Sequence, residues 1–204
     1  MTTPLQSVLL LRDASSVSRY HTVRTHRQQS VADHSHGVAM LMLRIHPSAA
    51  AHVLRAALCH DLAEVVTGDL PAPVKWANPV LKELLAGIEV RYEDALGIST
   101  ELSEDEMLLL KWCDTMELVL WSWEEVMMGN SYAIDIVSNG VQYVSSVLGH
   151  PNQTAALILK ELQEELPMLA RYEQMKRQWI AAHPQATPQQ YEAAMRAIAR
   201  KCGV

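Results

Sequence analysis

Val31-Ala32-Asp33-His34-Ser35-His36-Gly37-Val38-Ala39-Met40-Leu41-Met42-Leu43-Arg44-Ile45 sets Val31, His34, Val38, Leu41 and Ile45 at steps of three, four, three and four. Steps of that size line one face of an α-helix; a strand would alternate every second residue. His34 therefore sits inside an apolar stripe. Pro47-Ser48 ends this helix and opens the next, which carries Val53, Leu54, Ala56, Ala57 and Leu58 into Cys59-His60-Asp61-Leu62-Ala63-Glu64-Val65-Val66-Thr67-Gly68-Asp69-Leu70-Pro71. On a helix running through that stretch, Glu64 lies one turn beyond His60. Thr67 to Pro73, with one glycine and two prolines, reads as a turn. His60, Asp61, Glu64 and Asp69 thus leave a core-forming segment together, and groups that expensive to bury have a partner, a metal or a chemical task.

Outward from this pair the pattern stays helical. Residues 4–16 read as a short amphipathic helix, and 17–30, polar and rich in Arg and His, as a loop. A helix over 79–96 ends at Gly97, where a left-handed cap is expected. Ser103 with Glu106 forms a capping box for a helix on which Met107, Leu110, Asp114, Leu118, Trp121 and Glu125 follow at helical spacing. Residues 132–148, 154–166 and 167–179 read as further helices, and Thr187-Pro188 starts a last one reaching Cys202. The fold class is all-α, a compact single-domain bundle of seven to nine helices.

Composition narrows the function. The 204 residues fit one domain spanning 1–204, and 49% hydrophobic residues supply a sizeable core. A net charge of −6 argues against a binder of polymeric nucleic acid. Three cysteines, Cys59, Cys113 and Cys202, show no Cys-x-x-Cys spacing, which fits a reducing cytoplasm and no disulfide framework. No targeting segment is evident, and charges interrupt each apolar stretch before membrane-spanning length, so no membrane partner is expected.

Three helices each place metal-capable groups on an inward face: His34, His60 with Asp61, and Asp114. Two imidazoles and two carboxylates form a nitrogen and oxygen set suited to Zn, Mn, Co, Fe or Ni more than to Ca. A single core histidine is more often a hydrogen-bonded packing residue. Four such groups with Glu64 nearby are harder to explain by packing. Cys59 and Cys113 read as small core residues, and Trp112, Trp121 and Trp123 as core or subunit packing. His36 falls on another face.

The spacing His34…His60-Asp61…Asp114 resembles the signature of HD-domain metal-dependent phosphohydrolases. Arg19-Tyr20, Gln29 to Ser35, and His60-Asp61-x-x-Glu64-Val65-x-Thr67-Gly68-Asp69-Leu70-Pro71-x-Pro73-Val74-Lys75 narrow the likeness to YfbR-like 5′-deoxynucleotidases and the phage dATP triphosphohydrolases related to them. The likeness covers 17–125, with 130–204 as additional helices. It implies one divalent metal per subunit (Zn, Co or Mn, with Mg as a further candidate) held by His34, His60, Asp61 and Asp114. It implies that Glu64 handles the attacking water or the leaving oxygen, with Asp61 joining it at the reacting centre. Asp69 would accept from the sugar 3′-hydroxyl, Arg19 would reach the 5′-phosphate, and Tyr20 would pack on the sugar. Lys75 and Lys111 would neutralise further phosphate charge. The substrate implied is a deoxynucleotide and the assembly a homo-oligomer, with the Met- and Trp-rich helices after residue 107 as its interface.

Two substrate levels follow: a dNTP cut to nucleoside and triphosphate, or a dNMP cut to nucleoside and phosphate. The monophosphatase branch carries Trp-Pro after the arginine, whereas this chain has Tyr20-His21, which leans toward the triphosphohydrolase. A non-catalytic helical module stabilised by metal is the rival of another class; Glu64 and Asp69 speak against it.

Overall fold

The computed structural model describes residues 3–203, and every regular element within them is helical. The all-α expectation holds. The chain divides into two compact units, Met1–Leu118 and Val119–Val204.

The first unit comprises α1 (Pro4–Ala14), α2 (Val31–Ile45), α3 (Ala51–Cys59), α4 (Glu64–Thr67), α5 (Ala72–Ala77), α6 (Pro79–Leu96) and the start of α7 (Glu104–Met127). Ser30 caps α2: its hydroxyl accepts the Asp33 N–H at 3.2 Å, and the Asp33 carboxylate accepts the Ser30 N–H at 2.9 Å. This reciprocal box satisfies two of the donors a helix start leaves open. The buried face of α2 holds Val31, His34, Ser35, Val38, Ala39, Met42 and Ile45, and α2 packs on α3, which buries Val53, Ala56 and Ala57.

The loop before α2 is a loop as expected, but a pinned one. Ser18 and Ser30 form an antiparallel bridge, Arg19 N–H reaches the Gln29 carbonyl at 2.8 Å, and Val31 N–H reaches the Val17 carbonyl at 2.9 Å.

Three elements differ from the sequence expectation. The second helix stops at Cys59; beyond it Leu62 N–H bonds the Cys59 carbonyl and Glu64 N–H the Asp61 carbonyl, both at 3.0 Å, which are tight three-residue turns. The reason is burial. His60 and Asp61 side chains are 15% and 19% exposed, and Leu62, Ala63 and Glu64 are buried, so five consecutive residues are withdrawn from water. One face of a regular helix cannot hold five neighbours. Within the expected turn, Gly68 at φ 71 ends α4, but Ala72 already begins α5, whose first turn accommodates Pro73 because early helical positions need no N–H.

In the second unit, α8 (Ala133–Tyr143) runs into a single π-turn (Val144–Leu148), followed by α9 (Gln153–Ala182) and α10 (Pro188–Cys202). The two helices expected over 154–166 and 167–179 are one, with Pro167 inside α9. A mid-helix proline costs about 3 kcal/mol. Leu159, Leu162 and Leu169 continue one buried face across it, and α9 packs on both α8 and α10, which offsets that cost. Among the described residues there are therefore ten α-helices: α4 and α5 are additional, and α9 merges two. No helix among the described residues is long and apolar enough to cross a membrane.

Because the Ser30 box starts the helix that carries His34, Ser30→Ala is expected to destabilise the fold by about 1 kcal/mol, the usual worth of such a cap. Urea unfolding monitored by circular dichroism checks this; an unchanged midpoint would contradict it.

Candidate active site

The first unit gathers His34 from α2, His60 and Asp61 from the turn after α3, and Asp114 from α7. Ligand atoms of His34, His60 and Asp61 all lie within 4.8 Å of one another. His34 Nε2 stands 3.0 Å from Asp114 Oδ1 and 3.5 Å from Asp61 Oδ2. His60 Nε2 stands 3.4 Å from Asp61 Oδ2 and 3.7 Å from Asp114 Oδ1, and the two rings are 5.3 Å apart between centroids.

The outer nitrogens are occupied. His60 Nδ1 donates to the Ala57 carbonyl at 2.9 Å, and His34 Nδ1 donates to Glu117 Oε2. Both Nε2 atoms consequently point inward. His60 Nε2 is buried and finds no hydrogen-bond partner among the described residues. A buried, unbonded imidazole nitrogen beside two carboxylates is what a divalent metal would satisfy, and the two-nitrogen, two-oxygen set fits such an ion.

Charge balance tells the same story. Burial works against the imidazolium of both histidines, yet hydrogen bonds and charge from Asp61, Asp114 and Glu117 outweigh it. His34 is raised above its usual value and His60 to about 9. Burial likewise opposes the carboxylates, but His34 and His60 hold Asp114 far below the usual range, and His60 and Arg19 lower Asp61. In the metal-free protein, protons on the rings balance the acids; a metal would displace them.

Arg19 is the second charge at the centre. Its guanidinium, 9% exposed, bonds Asp61 Oδ2 at 2.6 Å through Nη1, while its Nε is buried without a partner among the described residues. Asp61 outweighs burial and keeps Arg19 charged. Next to it, Tyr20 has a left-handed backbone (φ 56), and its N–H donates to Asp69 Oδ2 at 3.2 Å. Asp69 thus props the loop residue that follows Arg19. That contact was not legible in the sequence. A tyrosine in this conformation costs about 1–2 kcal/mol, which one charge-assisted bond can offset.

Glu64 is buried, and its Oε2 has no hydrogen-bond partner among the described residues. Burial and the nearby Asp61 and Asp69 push its carboxyl up to about 8. Lys75, half-buried, is close enough to act on Glu64 electrostatically. Lys111 is exposed one turn before Asp114, and its side chain makes no described contact with the cluster. His36 faces solvent, as expected. Cys113 is fully buried, with its thiol pushed up to about 12 by burial and by Asp114; Cys59 is half-buried, and Trp112 and Trp121 are buried packing residues.

Two residues escaped the sequence reading. Glu117 holds His34, and Gln29 Nε2 donates to Glu117 Oε1 at 2.8 Å. The available signal was spacing: Glu117 follows Asp114 by three residues, on the same helical face.

Comparison with known proteins bears on the fold and the family. Solved structures of similar fold include the Cyanophage S-2L HD phosphohydrolase (DatZ) bound to dA and one catalytic Zn2+ ion. It has TM-score 0.56 and 26% identity, and the match covers 82% of this chain and 95% of that one. An HD-domain phosphohydrolase from Listeria innocua shares the fold with TM-score 0.60 at 21% identity, over 84% of this chain and 98% of the other. Fold and cluster together define an HD-domain phosphohydrolase. The family model of 5′-deoxynucleotidase YfbR-like proteins matches residues 8–97. The 5′-deoxynucleotidase VV1113 of Vibrio vulnificus is 30% identical over 138 residues, spanning 56% of this chain and 71% of that protein. The dATP triphosphohydrolase of Cyanophage S-2L is 40% identical over 116 residues, spanning 53% of this chain and 65% of the phage enzyme. The chain belongs to the YfbR-like 5′-deoxynucleotidase family.

A pH dependence follows for the metal-free protein. Glu64 keeps its proton to about 8 against 4.5 unfolded, and His60 to about 9 against 6.5. Over that window the folded state binds more protons than the unfolded one, so stability falls as pH rises. Asp61 and Asp114, whose carboxyls are lowered from 3.8, contribute stability that is fully present above that value and is lost only as pH falls below it, so they leave the slope at higher pH unchanged. Chelator-treated protein should show a urea midpoint that declines from about pH 6 to 9, and Glu64→Gln should flatten the lower part of that decline. A profile rising across this range would contradict the assignment.

Proposed function

We propose that this protein hydrolyses 2′-deoxynucleoside triphosphates of the dATP type to deoxynucleoside and triphosphate, using one bound divalent metal. The carrying observation is the cluster of His34, His60 and Asp61, with Asp114 Oδ1 3.0 Å from His34 Nε2 and the Arg19 guanidinium already seated on Asp61. The likeness to the cyanophage dATP triphosphohydrolase supports the substrate level, and the zinc of the cyanophage structure supports zinc, with cobalt or manganese as alternatives.

When bound, the metal supplies a Lewis acid for a phosphoryl oxygen and lowers the pKa of the attacking water. The chain's own residues do the rest. Arg19, fixed at the edge of the cluster, meets the α-phosphate. Water adds to the α-phosphorus and the bond to O5′ breaks; the deoxynucleoside leaves with a proton on O5′, and triphosphate remains. Glu64 has the unbonded oxygen and the raised pKa that suit it to carry that proton. Asp69 props Tyr20 through the backbone and offers its second oxygen to the sugar 3′-hydroxyl, while the Tyr20 ring packs on the sugar. Lys75 and Lys111 take the outer phosphates. Self-association through the helices after residue 107 belongs to the same reading; Met107, Met127 and Met128 are exposed there.

A second reading, a 5′-deoxynucleotidase releasing phosphate from dNMP, is supported by the family model and by the Vibrio vulnificus relative. Phosphorus NMR on dATP and dAMP with zinc, cobalt, manganese or magnesium separates the two. Triphosphate from dATP is expected; orthophosphate from dAMP alone would move the assignment to the nucleotidase, and no cleavage of either would reject both. Glu64→Ala should reduce turnover by roughly 100-fold or more while retaining metal. Asp61→Ala should lose metal and activity together.

A further inference from the structure

The metal-facing side of His34 is accounted for above; its other side is the more unusual part of the site. His34 is completely buried and carries hydrogen-bond partners at both ring nitrogens. Its Nδ1 meets Glu117, a carboxylate that is itself only 8% exposed and that plays no part in the reaction outlined above. Glu117 is held in turn. Gln29, 2% exposed, points its amide nitrogen at the other carboxylate oxygen, and Gly37 lies so close that a Cβ there would come within 2.8 Å of Glu117 Cγ. Three elements therefore fix one carboxylate: the loop before α2, α2 itself and α7.

We infer that Glu117 is the positioning residue of the metal centre, locking His34 in the tautomer that presents its Nε2 lone pair inward, with Gln29 and Gly37 fixing Glu117. The inference rests on the metal site proposed above. A carboxylate can only accept a hydrogen bond, so Nδ1 must carry the proton and Nε2 is left as the ligand atom. The charge on Glu117 also makes the imidazole a stronger donor to the ion. Gly37 is required for space: its backbone is ordinary helix, but any side chain would displace the carboxylate. Gln29 links this support to substrate handling, because its backbone carbonyl accepts the Arg19 N–H at 2.8 Å while its side chain holds Glu117.

Zinc affinity, measured by competition with a chromogenic chelator on the full chain, tests this. Glu117→Ala is expected to weaken zinc binding by about 10–100-fold. Glu117→Gln, whose amide oxygen still accepts from Nδ1, should recover most of that loss, whereas Glu117→Met, which fills similar space without an acceptor of that kind, should not; recovery in Glu117→Met as well would overturn the inference in favour of packing. Nitrogen-15 NMR of the zinc-loaded wild-type chain should show His34 protonated at Nδ1 and metal-bound at Nε2; this needs no variant to fold. Wild-type affinity in Glu117→Ala, equal losses in the Ala and Gln variants, or zinc on Nδ1 would each overturn the inference. Asp61→Ala is the control. If it still binds zinc as wild type does, the metal site itself is misassigned; if it loses zinc while Glu117→Ala does not, only the role of Glu117 fails.

Discussion

The imidazole of His34, sealed from water and bonded on both sides, is the constraint around which the first unit is arranged. An unsatisfied buried polar group costs about 1–3 kcal/mol, and a buried charge without partners far more. Here the ring is surrounded by Asp61, Asp114 and Glu117, so the favourable state is a cationic or metal-bound ring. Remove the positive charge and three acids face each other across a small volume. The α2 helix can carry a histidine in its apolar stripe only because α7 and the turn after α3 bring the acids to meet it.

The break in the helix after Cys59 serves the same end. A continuous helix would keep His60, Asp61 and Glu64 near one face but turn Leu62 and Ala63 away from it, whereas the tight turns withdraw all five from water. His60 is fixed by the Ala57 carbonyl behind it, and Asp61 by Arg19 beside it. The site is thus built at the end of a helix, where backbone geometry is adjustable, and braced by two long regular helices that are not.

Much of this was legible in the sequence because it depends on local chemistry. The 3.6-residue period revealed α2 and α7, Ser103 and Thr187 marked the starts of α7 and α10, Gly97 marked the end of α6, and the His-Asp pair with His34 and Asp114 picked out groups that the structure brings together. What escaped depends on distance in space. Nothing local shows that the helix holding His60 stops at Cys59, since the cause is the demand to bury five neighbours. Pro167 argued locally for a break, and packing along α9 prevailed. Glu117 looked like one more acid on a long helix, and Asp69 like a sugar contact alone; their partners Gln29, His34 and Tyr20 lie far away in the chain.

The pinned loop before α2 carries a mechanical corollary. Its two ends are stitched together by the Ser18–Ser30 bridge and the flanking backbone bonds, so Arg19 at one end and Gln29 at the other are anchored to each other. The segment between, where His21, Arg24 and His26 are exposed, is a closed excursion. Lengthening or rewriting such an excursion adds little closure entropy and leaves its base in place. Changes confined to the tip would therefore leave the backbone that carries Arg19 and Gln29 where it is.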